Sequence, residues 1–203
     1  MSNQLPSLDE NDAAISQTLT NIIVDEIKRV GPISFARYME LALYHPQYGY
    51  YRNGAIKFGS QGDFVTAPEL SPLFSQCLAN QCAEIFTNLN EPSILEYGAG
   101  SGVLAVSLLQ SLEKLNVLPE SYCIIELSAD LRSRQRQLFT ESIPHLLDRV
   151  QWLEAAPQGN FVGVIIANEV LDAMPVNKFV VGSVPLEQCV TYKDNRLQWE
   201  QCE

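Results

Sequence analysis

Apolar positions repeat at helical spacing over the first part of the chain and gather into short runs thereafter. Over residues 17–30, Leu19, Ile22, Ile23, Ile27 and Val30 predict one helix, and Gly31 ends it. Residues 32–44 predict a second helix, with Ser34 as a cap and Phe35, Met39, Ala42 and Leu43 on one face. Residues 45–70 hold several Gly and Pro and few periodic positions, which predicts a long ordered loop with a hairpin around 50–58. Ser71 and Pro72 then suit the cap and first position of a third helix that runs to about Thr87. Past Pro92 the period changes. Strands are predicted at 93–97, 122–126, 149–153 and 161–167, with helices at 102–114 and 129–139. That alternation predicts an α/β fold with a doubly wound parallel sheet. The division is expected near residue 90, with an N-terminal helical region and covering loop over 1–90 and the sheet domain over 91–203.

The first sheet strand carries the most informative chemistry. Ile94, Leu95 and Tyr97 suit a buried strand, and Glu96 stands two residues before a turn containing Gly98, Gly100 and Gly102. Val103, Leu104, Ser107, Leu108, Ser111 and Leu112 follow at helical spacing. A strand, a Gly-rich loop and a helix form a nucleotide crevice in open α/β sheets. A dinucleotide fingerprint places glycine or alanine five positions after the first glycine, and here that position is Val103. The spelling Glu96, Gly98, Gly100, Gly102 resembles instead motif I of class I S-adenosylmethionine (SAM) methyltransferases, where an acid suits the ammonium of the methionine moiety. Glu126 ends the second strand, 24 residues after Gly102. A carboxylate there accepts hydrogen bonds from ribose hydroxyls in NAD enzymes too, so it argues for a nucleoside without choosing one. Its plainer reading is a helix-start acid beside Ser128 and Asp130.

Composition narrows the classes. The chain has 203 residues, 46% of them hydrophobic, and a formal net charge of −11. No apolar run is long enough to span a membrane. The acidic balance disfavours a nucleic-acid partner, since phosphate contacts need clustered Lys and Arg. Arg132, Arg134 and Arg136 read as a solvated helix face. Residues 1–16 carry no Lys or Arg, unlike a secretory or transit leader. A bacterial cytoplasmic protein is expected, or a trimmed protein of the mitochondrial matrix. Five cysteines without metal spacing read as free thiols, and His45 and His145 take no assigned role. Trp152 reads as an adenine contact or as core.

Three further segments carry a resemblance. They are Tyr44-His45-Pro46-Gln47-Tyr48-Gly49-Tyr50-Tyr51, the stretch from Gly62-Asp63-Phe64 through Thr66-Ala67-Pro68-Glu69 to Phe74, and Asn168-Glu169-Val170-Leu171-Asp172-Ala173-Met174-Pro175. With the glycine loop they resemble, over about Leu19 to Phe179, the MidA family of SAM-dependent methyltransferases. Its mitochondrial member is a protein arginine methyltransferase acting on a respiratory complex I subunit. The resemblance implies a class I methyltransferase-like (Rossmann-like) fold and SAM as cofactor. It implies that Glu96, Gly98, Gly100, Gly102 and Glu126 hold SAM, with Asp63 and Thr66 as polar contacts from a covering segment and Asn168 beside the methionine end. It makes a protein the substrate and a respiratory complex subunit a candidate acceptor.

An arginine acceptor needs its guanidinium oriented, which carboxylates do through bidentate hydrogen bonds. Glu169 and Asp172 stand three residues apart and share a side if the segment turns helically, which makes them the catalytic candidates. The plainer reading makes Asp172 a turn cap and Glu169 a solvated acid. The family's sheet has about seven strands, yet after Pro175 only 179–181 and 189–192 read as strands, so an incomplete sheet is expected. An unpaired edge brings a partner chain or a homo-oligomer into the expectation. A non-catalytic assembly factor that binds SAM or another nucleoside and holds a protein partner is the alternative function.

Overall fold

The computed structural model describes residues 10–51 and 66–202. Along the chain run α1 (Glu10–Val30), β1 (Ile33–Ser34), α2 (Phe35–Tyr44), α3 (Ala67–Leu70), α4 (Pro72–Phe86), β2 (Ser93–Tyr97), α5 (Val103–Lys114), β3 (Tyr122–Ile125), α6 (Ala129–Ser142), β4 (Val150–Leu153), β5 (Gly163–Ile166), β6 (Lys178–Val180), β7 (Leu186–Lys193) and β8 (Arg196–Cys202). Short 3-10 turns occupy Pro144–Arg149 and Leu171–Ala173. The chain divides into two compact units, one from residues 1–53 and 173–203, the other from 54–172. The boundary expected near residue 90 does not coincide with this division, and residues after 172 group with the N-terminal segment rather than with the glycine-loop domain.

The first unit pairs two helices with an antiparallel sheet. Strand β7 pairs with β6, β1 and β8. The expected strands at 179–181 and 189–192 therefore belong to this sheet and not to the parallel one. Sequence reading missed β8. The turn before it, Asp194-Asn195, has φ of 51° and 59°, the double left-handed geometry of a two-residue hairpin. Helix α1 begins earlier than expected, and Glu10 and Asp12 in its first turn favour that start. Ser34 does cap α2, accepting from the Arg37 N–H at 3.1 Å, but Ile33 and Ser34 first pair with Val190 and Cys189. Ile23, Ile27, Ile33, Leu41 and Val190 form the core. Arg37 forks across both Glu26 oxygens at 2.7 and 3.0 Å, joining α2 to α1.

The second unit is the expected parallel sheet, in the order β4-β3-β2-β5. Registers align Tyr97 with Ile125 and Ile125 with Leu153, and pair Glu96 with Ile166, so the C-terminal ends of all four strands reach one edge. The chain moves outward from β2 to β4 and then crosses to the other side of β2. That reversal is the switch point at which open α/β sheets leave a crevice. The core gathers Ala79, Cys82 and Phe86 of α4, Leu104, Leu108 and Leu112 of α5, Ile94, Tyr122, Ile124 and Phe139. Gly163 opens β5 with φ +147°, and a Cβ there would lie 1.8 Å from the Ser93 carbonyl oxygen, so close pairing of β5 on β2 requires glycine. The loop expected over 45–70 contains α3, which Thr66 and Pro68 start, while most of the expected hairpin at 50–58 lies outside the described residues.

Candidate cofactor site

Strand β2 delivers Glu96 to the switch point with only 2% of its surface exposed. Tyr122, one strand over, donates its hydroxyl to Glu96 Oε2 at 2.8 Å. Burial pushes the Glu96 carboxyl up to about 7; the Tyr122 hydrogen bond opposes the rise, and the neighbouring Glu126 adds to it. Burial also raises the Tyr122 hydroxyl well above the tyrosine range. No cationic side chain pairs with Glu96 among the described residues.

The glycine loop leaves the strand at once. Gly98 has φ +63°, its N–H donates to Ile125 O at 2.8 Å, and a Cβ would come within 3.0 Å of Val170 Cγ2. A side chain there would therefore be strained in its backbone and would press on the loop after β5. Gly102 caps α5, whose first N–H groups have no helical acceptor. Ser101 donates its hydroxyl to Glu69 Oε1, which fastens the end of α3 to the loop.

Around this loop lies a cleft of about 440 Å³, counted to its open mouth. Glu96, Gly98, Gly100, Thr66, Asn168 and Glu169 all line it, together with Glu69 and Ser101. Sequence reading missed the last two as site residues. Glu126 and Gly102 stand beside this cleft without lining it, and the Glu126 carboxyl is tied to the loop by the Gly100 N–H. Glu126 follows β3 and is 9% exposed; Oε1 accepts from the Ser128 N–H at 3.0 Å and Oε2 from Gln135 Nε2 at 3.3 Å. Burial raises its carboxyl and these neutral donors oppose the rise. Gly102 sits under Gln135 and Phe139. Asp63 lies outside the described residues.

Glu169 and Asp172 do not share a helical face. Glu169 has φ +51°, in the left-handed region, and the 3-10 turn begins only at Leu171. Glu169 is exposed on the cleft lining, whereas Asp172 is exposed on the turn beyond it. Trp152 is fixed within the fold: its indole N–H donates to Gln135 Oε1 at 2.8 Å, and its ring meets Phe139 edge-on and the Arg136 guanidinium at 4.8 Å. The other two arginines of that helix pair with Glu154 and Asp130. Among the described residues there is no cluster of His, Cys, Asp and Glu suited to a metal, and no helix long and apolar enough to cross a membrane.

This arrangement has known counterparts. Residues 77–202 match a family described as "Putative S-adenosyl-L-methionine-dependent methyltransferase". The chain is 34% identical to the mitochondrial protein arginine methyltransferase NDUFAF7 homolog of Drosophila melanogaster, over 75% of this chain and 40% of that protein. It is 31% identical to NDUFAF7 of Xenopus tropicalis over 82% of this chain and 44% of that one. A Burkholderia thailandensis protein solved with S-adenosyl-homocysteine bound has a TM-score of 0.87 at 41% identity, covering 98% of this chain and 53% of that chain. The chain thus spans less than half the length of these two curated relatives.

Proposed function

We propose, from the premise that the chain belongs to the MidA family of SAM-dependent methyltransferases, that it binds SAM around the glycine loop after β2 and serves methyl transfer to arginine of a protein. The observation that carries this reading is a glycine cradle at the sheet's switch point, with buried carboxyls at two adjacent strand ends. The residues present fit the cofactor. The ammonium of its methionine end suits Glu96, which is buried without a cation. Its ribose suits the end of β3 at Glu126. Gly98 and Gly100 keep the backbone bare where the cofactor lies against it.

Bound SAM supplies an electrophilic methyl group on a sulfonium. What this chain contributes is placement, since in-line displacement gains much of its acceleration from geometry. Asn168 follows β5 on the cleft lining and serves the methionine end. Thr66 and Glu69 line the same cleft, and Asp63, three positions before Thr66 in the sequence, is a further polar contact in this reading. Glu169 and Asp172 orient the acceptor guanidinium, Glu169 from the cleft itself and Asp172 from the next turn. A protein substrate follows from the activity for which the curated relatives are named, and a respiratory complex subunit remains the candidate acceptor that the sequence resemblance implies. Those relatives are mitochondrial by name and the solved one is bacterial, which leaves both anticipated compartments within the reading.

Calorimetric titration of this chain with SAM tests the reading, run beside the Gly100→Val variant and beside NADH. Saturable SAM binding, lost in Gly100→Val and absent for NADH, is expected. A folded chain that ignores SAM or prefers NADH overturns it. Labelled-methyl transfer to protein then separates an enzyme from a SAM-binding assembly factor. Glu169→Ala is expected to lower transfer at least tenfold with SAM affinity unchanged; unchanged transfer removes its assigned role.

A further inference from the structure

Three elements meet at the cofactor site, and one buried side chain touches all of them. Gln135 of α6 is fully buried. Its Nε2 donates to the Gly100 carbonyl at 2.9 Å and to Glu126 Oε2 at 3.3 Å. Its Oε1 accepts from Trp152 Nε1 at 2.8 Å. A Cβ on Gly102 would come within 3.2 Å of its Cγ. The amide cannot be turned over. The indole N–H only donates, while a carbonyl and a carboxylate only accept, so Oε1 must face Trp152 and Nε2 the other two. A buried amide is tolerated only when its groups are paired, and here both amide hydrogens and a lone pair are used.

No near-equivalent residue does the same. Methionine has similar length and donates nothing. Glutamate would set a second carboxylate beside Glu126, where like charges disfavour ionisation of both. Asparagine is one methylene shorter and falls short of the glycine loop.

We propose that Gln135 is a positioning residue of the cofactor site: beside the direct bond of the Gly100 N–H to Glu126, its amide ties the Gly100 carbonyl to the same carboxylate, and Trp152 fixes the amide. The proposal rests on the cofactor reading for its effect on SAM, and on the contacts alone for its effect on the loop. A core glutamine without this role would cost stability when replaced and nothing more.

The test uses the full chain as wild type, Gln135→Met, Trp152→Phe and a control, Ile143→Ala, whose side chain is buried just beyond α6. Amide hydrogen exchange over residues 98–103 is measured without ligand, and SAM affinity by calorimetry. Gln135→Met is expected to speed loop exchange well beyond the change in global stability and to weaken SAM binding at least tenfold. Ile143→Ala, compared at matched stability, is expected to change neither. Trp152→Phe keeps a ring and removes only the N–H donor, so it moves both readouts in the same direction by a smaller factor, and it decides the matter if Gln135→Met does not fold. The chain has two tryptophans, so the Trp152 indole N–H resonance is readily assigned and is expected to shift in Gln135→Met. Wild-type loop exchange and SAM affinity in Gln135→Met overturn the proposal. A wild-type chain that binds no SAM defeats the cofactor reading instead, and loop exchange alone then decides the role of Gln135.

Discussion

A carboxyl sealed beside a tyrosine hydroxyl makes the site sensitive to pH. Glu96 ionises at about 7 in the folded chain, against an ordinary value of 4.5. The folded state therefore holds a proton that the unfolded chain has released, and stability falls as pH rises from about 4.5 to about 7. The drop is roughly 3 kcal/mol at 1.36 kcal/mol per pH unit. Glu96→Gln keeps an acceptor for Tyr122 and removes that proton, so denaturant midpoints should show the variant gaining on wild type across this window and level beyond it. An ammonium ligand stabilises the ionised form. SAM affinity should accordingly tighten as pH rises toward 7 and should lose that slope in Glu96→Gln, which calorimetry in buffers of different ionisation enthalpy checks. Glu96 and the glycines were legible in the sequence because strand, acid and loop are contiguous. Gln135 was overlooked because Arg132, Arg134, Arg136 and Gln137 give its helix the look of a solvated surface. Its signal was the i, i+4 series Leu131, Gln135, Phe139, which sets an amide in the middle of the buried stripe. Glu69 was hidden for a different reason: its partner Ser101 is 32 positions away.

Elements fixed by local chemistry were read with few errors. The parallel strands appeared as apolar runs, and Ser71-Pro72 marked the start of α4. Strand β1 was illegible because two residues carry no period, and only β7, far along the chain, makes them a strand. Strand β8 carried a legible cue in Asp194-Asn195, and the alternation of Arg196-Leu197-Gln198-Trp199 supported it. The condition under which Glu169 and Asp172 would share a side, a helical turn through 169–172, is not met at one residue, since a left-handed Glu169 cannot continue a helix. Pairing of β5 on β2 depends just as sharply on one residue. Gly163→Ala places a methyl group against the Ser93 carbonyl in a backbone conformation that alanine resists. A loss of about 3 kcal/mol is expected, read as a lower thermal midpoint. Because β5 leads into Asn168, SAM affinity should fall with it. An unaltered midpoint would mean that β5 can shift without cost.

The whole chain carries 24 acidic residues against 13 Lys and Arg. A surface of that sign attracts cationic segments, and salt weakens the attraction. If the acceptor is an arginine within a basic stretch, raising ionic strength from about 50 to about 500 mM should raise KM several-fold and leave kcat unchanged, because exposed charges are screened within a few ångströms at the higher value. A KM indifferent to salt would point to an acceptor recognised by shape. The division into units also sets an order of events. One unit uses a continuous stretch of sequence, whereas the other joins residues before 54 to residues after 172. Ile33 pairs with Val190, 157 positions later. Closing that span in unfolded chain costs roughly 4 to 5 kcal/mol, and no pairing offsets the cost until the ends meet. During synthesis the apolar face of α1 and α2 must wait for β7 and β8 to leave the ribosome, whereas residues 54–172 of the glycine-loop unit have all emerged before them. Helices α1 and α2 thus wait on strands made about 150 positions after them, and holding them soluble in the interval falls to their own polar faces or to a chaperone.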